Sequence, residues 1–135
     1  MRRPFYTRPV LLDRERDRRS SPKTVKDGVP AEGERALVCV ACGHRITDDD
    51  HRIEMSGAHE HTFVNPGGFV HHIGCFDAAP GCSYLGPTES AFSWFPGWTW
   101  QVAACARCRA HVGWQYRNSG EQFHGLILAA LRRAE

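Results

Sequence analysis

Short apolar runs broken by Gly and Pro dominate the chain, a rhythm that favours brief strands over long helices. Ala36-Leu37-Val38-Cys39-Val40 reads as a strand running into a cysteine-bearing turn. Residues 62–64 and 69–73 are apolar-rich runs on either side of Asn65-Pro66-Gly67-Gly68, the signature of a β-hairpin. Residues 98–103, 111–116 and 123–128 read as further strands, and residues 129–134 as a short helical turn. The expected fold class is therefore mainly β.

A different pattern occupies the start. Residues 1–35 mix charge with turn formers, as in Asp13-Arg14-Glu15-Arg16-Asp17-Arg18-Arg19-Ser20-Ser21-Pro22, and lack the apolar surface needed to offset the entropy of ordering. They are expected to form a disordered charged leader, with a short helix over residues 10–19 supported by the i,i+4 spacing of Glu15 and Arg19. The net charge of +2 is unevenly placed: residues 1–36 hold ten Lys and Arg against six Asp and Glu, which leaves the remainder slightly acidic. An acidic body argues against a phosphate-binding surface, so no nucleic-acid partner is expected. No apolar run approaches the roughly 18 residues of a spanning helix, and no apolar core follows Met1-Arg2-Arg3-Pro4. Neither membrane insertion nor secretion is expected, and the cytoplasm is the expected compartment.

Six cysteines change the picture. Cys39-x-x-Cys42 and Cys105-x-x-Cys108 form two pairs that together offer four thiolates, the ligand set of a closed tetrahedral zinc site. One structural Zn2+, without a catalytic role, is the expected cofactor. Disulfides would need an oxidising compartment, and a redox role would fit a single pair better than two. Cys75 and Cys82 remain, and are expected to be small buried apolar residues. His59, His61, His71 and His72 resemble a metal cluster, but neighbours on a strand point to opposite faces, so His71 and His72 cannot converge.

All four tryptophans lie between residues 94 and 114, around the second cysteine pair. Trp94, Trp100 and Trp114 can meet if the metal holds that pair near the sheet; such a meeting makes either a core or an aromatic cage. Phe63-Val64-Asn65-Pro66-Gly67-Gly68-Phe69-Val70-His71, Ser93-Trp94-Phe95-Pro96-Gly97-Trp98-Thr99-Trp100, Cys105-x-x-Cys108-x-x-His111-Val112-Gly113-Trp114 and Phe123-His124-Gly125-Leu126 together resemble the CULT domain, the thalidomide-binding domain of cereblon. The likeness spans about residues 36–131, leaving 132–135 as a tail, and is greatest to free-standing bacterial members of the family.

The resemblance implies a β-tent, two antiparallel sheets meeting at an angle and pinned by structural zinc. It also implies a non-enzymatic ligand-binding module with an aromatic cage on Trp94, Trp100 and Trp114. Tyr116 matches a further aromatic wall, Asn65 a polar residue at the mouth, and Phe92 a position that contributes mainly its backbone carbonyl. The implied ligands are cyclic imides: glutarimide-type or thalidomide-like molecules, cyclised protein C-termini, and uridine-like compounds. Phe92 stands where animal relatives have His, and Trp98 where they have Tyr. No protease-like amino-terminal domain or ubiquitin-ligase adaptor region is recognised, so a ligase receptor is not expected. The competing readings are a zinc-containing methionine sulfoxide reductase, a nucleic-acid-binding zinc module, and a protein-interaction adaptor without a small ligand. The reductase would need a cysteine nucleophile after the second pair, and none follows Cys108.

Overall fold

Nine strands arranged as two antiparallel sheets make up the computed structural model, which describes residues 35–134. The strands are β1 (Ala36–Cys39), β2 (Arg45–Asp48), β3 (Glu60–Val64), β4 (Val70–Phe76), β5 (Cys82–Glu89), β6 (Thr99–Cys105), β7 (His111–Asn118), β8 (Glu121–Ile127) and β9 (Leu131–Arg133). The small sheet has the order β2-β1-β9 and the large one β3-β4-β8-β7-β6-β5. The mainly β expectation holds. The leader expected over residues 1–35, with its helix over 10–19, lies outside the described residues except for Arg35, whose guanidinium pairs with Asp50. Among the described residues no helix is long and apolar enough to cross a membrane.

Turn chemistry and strand register determine the two faces of the large sheet. At the β3–β4 tip Asn65 takes the N–H of Phe69 on its side-chain oxygen at 2.9 Å, while Gly68, at φ +89°, donates to the Asn65 carbonyl at 2.8 Å. Residues paired directly across antiparallel strands share a face. Trp100, Tyr116 and Phe123 lie in one such row, and Val102, Trp114, Gly125 and Cys75 in the next. This face carries one core, of Ile53, Met55, Ile73, Phe95, Trp98, Tyr116 and Phe123. The reverse face carries Ala103 and Leu126, which join Leu37, Ile46, Phe76 and Val112 in a second core between the sheets.

Two strands escape the sequence pattern. β2 is four residues long, and β5 contains Gly86 and Pro87, which read as a loop. An edge strand tolerates both, because its outer N–H groups need no ladder partner, and the register shifts between Leu85 and Glu89. The helical turn expected over residues 129–134 is corrected: a 3-10 turn covers only Leu128–Ala130, and Leu131–Arg133 pairs with β1 as β9. All four β1 residues are buried, so both edges of that strand must be hydrogen-bonded internally.

Gly81, just before β5, packs closely against β2 of the small sheet. Its N–H donates to Ile46 of β2 at 3.0 Å and its carbonyl accepts from Ala106, beside the second cysteine pair, at 2.9 Å. An added Cβ would collide with the Arg45 carbonyl oxygen and lie 2.7 Å from the Ile46 Cα. Gly81→Ala should therefore destabilise the protein by about 3 kcal/mol or more, since backbone must move to make room; chemical denaturation at constant metal loading checks this.

His124 supplies a pH-dependent contribution. It is 3% exposed and its Nε2 lies 2.7 Å from the Tyr84 hydroxyl. Burial first, then the Arg117 charge, lowers its pKa to about 4 from an ordinary 6.5. Between these values the unfolded chain binds a proton that the folded one refuses, so stability falls as pH drops from 6.5 towards 4. The loss should amount to about 3 kcal/mol. His124→Gln should lack this part of the slope when unfolding is compared at equal metal loading.

Candidate metal centre and aromatic cage

The two cysteine pairs occupy matching turns. Cys39 ends β1 and Cys105 ends β6, and in each case the residue four positions on, Gly43 or Arg109, donates its N–H to the cysteine carbonyl at 2.8 or 2.9 Å. Both adopt left-handed backbone, at φ +85° and +69°, which glycine accepts freely and arginine does at a cost. The turns bring the four Sγ atoms within 4.8 Å of one another. Cys39 and Cys108 sulfurs are 3.6 Å apart, and those of Cys42 and Cys105 3.7 Å. A tetrahedron with metal–sulfur bonds of about 2.3 Å has edges of about 3.8 Å, so the donor set fits one metal ion closely. At Cys105 burial opposes ionisation, but the N–H groups of Cys108 and Arg107 and the neighbouring thiols outweigh it and bring the pKa down to about 7.

Neither remaining cysteine joins the centre. Cys75 is buried in the aromatic core, and burial pushes its thiol pKa far up. Cys82 stands opposite Cys105 on the neighbouring strand, pushed up to about 12 by burial and by that neighbour. The histidines do not converge either. His59 and His61 hydrogen-bond main-chain carbonyls of Ile53, Met55 and Ala58, and His72 bonds Thr62 and Glu60 on the face opposite His71.

Trp94 and Trp114 meet edge to face, with ring centres 4.9 Å apart. Both are half-buried, as is Trp100, and all three pack on the core of the large sheet. Trp100 donates its indole N–H to the Ala91 carbonyl at 2.7 Å. Beneath them Tyr116 is only 2% exposed, stacked on Phe123 and edge-on to Phe95, so it forms the floor of the cluster. Trp98 is buried against Phe123. Asn65 sits at the hairpin tip, two residues beyond Phe63. The β5–β6 loop carries Phe92, 74% exposed, and the main-chain groups of Phe92 and Trp94 bond to nothing among the described residues.

Three neighbours of the cluster were not foreseen. Phe63 stacks on Trp94 at 4.8 Å, His71 meets Trp114 at 5.2 Å, and His111 meets Trp114 at 4.8 Å. The hairpin signal contained the first two: Phe63 and His71 are directly paired, so they share one face.

Comparison with known proteins gives partial-length matches. The chain is 35% identical over 74 residues to protein cereblon of Danio rerio, and 36% over 75 residues to that of Xenopus tropicalis. It is 31% identical over 77 residues to protein cereblon of Drosophila pseudoobscura pseudoobscura. Over about half its length the chain is similar to a part of protein cereblon, consistent with the resemblance to a CULT domain. These matches cover 51 to 52% of the chain but only 12 to 17% of the relatives' own length. No family model matches the chain.

The metal should be integral to the cereblon-like domain, because its ligands end strands of both sheets. Structural metal in small domains contributes about 10–16 kcal/mol, as much as a whole domain's net stability of about 5–15 kcal/mol. Elemental analysis should give one ion per chain, and Cys39→Ser/Cys105→Ser should lose both the ion and cooperative unfolding. A folded, fully loaded double variant would contradict the assignment.

Proposed function

We propose that the cereblon-like domain is a non-enzymatic receptor for cyclic imides, with zinc as its structural metal. One juxtaposition supports this reading above others: three half-buried indoles stand beside a loop whose Phe92 and Trp94 main-chain groups have no partner among the described residues. A glutarimide ring has apolar CH2 edges and one N–H between two carbonyls. Its edges suit Trp94, Trp100 and Trp114, and its polar rim suits the free groups of Phe92 and Trp94. Tyr116 supports the cage from below and Asn65 shapes its mouth. The ligand would be a small-molecule imide, a cyclised protein C-terminus or a uridine-like ring.

Catalysis by thiol is disfavoured, because the two cysteines outside the metal set are both held protonated by burial. Four thiolates also match a reducing compartment such as the cytoplasm. The slightly acidic balance of residues 37–135 argues against a nucleic-acid partner.

Calorimetric titration with glutarimide and N-methylglutarimide tests the proposal. Methylation removes the donor and leaves a buried acceptor unpaired, at about 1–3 kcal/mol, so the methylated compound should bind about 5- to 150-fold more weakly. Trp114→Ala, checked to be folded and metal-loaded, should lose most of the glutarimide affinity. Equal binding of the two compounds, or unchanged binding by the variant, would reduce the cage to a packing core.

A further inference from the structure

Trp100 does something a purely apolar wall would not. Its N–H bond to Ala91 falls one residue before Phe92, at 2.7 Å. Phe92 adopts φ +61°, a left-handed conformation that costs a residue with a Cβ, and its exposed ring gains little packing in return. On the other side Ser93 Oγ donates to the Phe95 carbonyl at 3.0 Å and accepts from the Phe95 N–H at 3.3 Å. Two polar ties therefore bracket the strained residue. The first anchors it to the rigid sheet, where Trp100 is paired with both Glu89 and Tyr116.

We infer that Trp100 is a positioning residue whose indole N–H, rather than its ring alone, aims the Phe92 and Trp94 main-chain groups at the ligand. This rests on the imide reading above. Trp100 thereby sets selectivity for the polar rim of the ligand, while Trp94 and Trp114 set affinity for its apolar ring. Ser93 makes the second tie.

Trp100→Phe keeps a smaller aromatic wall and removes the donor; Ser93→Ala removes the other tie and leaves every indole in place. Both are to be titrated with glutarimide and N-methylglutarimide after metal loading and folding are verified. In Trp100→Phe, glutarimide should weaken about tenfold, or about 1.4 kcal/mol, while N-methylglutarimide changes little, so that selectivity collapses. Ser93→Ala should shift selectivity the same way. An equal loss for both compounds would assign Trp100 to the wall alone and overturn the inference, as would unchanged selectivity.

Relaxation of the main-chain amides at residues 91–94, measured without ligand, provides a second readout. Their order parameters should fall in Trp100→Phe, and unchanged values would overturn the inference whatever the titrations give. If the wild-type protein bound neither compound, the imide reading would fail by itself, and these amides would still decide whether the tie orders the loop.

Discussion

Convergence of four thiols from the ends of two strands is the constraint on which the remaining structure depends. Cys39 leaves the small sheet and Cys105 the large one, so a metal between them fixes where the sheets meet. Gly81 passes so close to β2 that no side chain fits, and its carbonyl bonds the turn that carries Cys108. A metal held by these thiols would act on the same joint as the glycine and the inter-sheet core, and the six-stranded sheet extends from it as a platform.

The platform separates its two faces by function. The reverse face spends its apolar residues on the small sheet. Among the described residues the other face meets no second sheet and builds a core rich in rings, in layers: Phe95, Trp98, Tyr116 and Phe123 below, Trp94, Trp100 and Trp114 half-open above. A ring layer supported from beneath can hold its shape without a ligand, which lowers the ordering cost of binding. On the proposed reading, the β5–β6 loop adds polar groups to this apolar surface, and its ties to Trp100 and Phe95 keep them aimed.

Features governed by local chemistry were legible in the sequence. The cysteine turns are set by four-residue geometry, and the hairpin by Asn65-Pro66-Gly67-Gly68, so both appeared before any coordinates. Alternation along β4 correctly separated His71 from His72. Features governed by distant pairing were not legible. β9 is a strand only because β1 needs a second neighbour, and β5 carries Gly86 and Pro87 that an edge alone tolerates. Cage and core were also indistinguishable in sequence, since burial of Tyr116 and half-burial of Trp114 depend on which rings cover them. Phe63 and His71 join the tryptophans through register, which spacing along the chain does not reveal.

Whether the open layer of indoles receives a cyclic imide can be read from the tryptophan side-chain resonances. The four indole N–H groups of the metal-loaded, 15N-labelled protein would be followed while glutarimide is added. Trp94, Trp100 and Trp114 should shift together and saturate at one concentration, while Trp98, buried against Phe123, stays in place. Static resonances, or a response shared equally by Trp98, would contradict the imide reading.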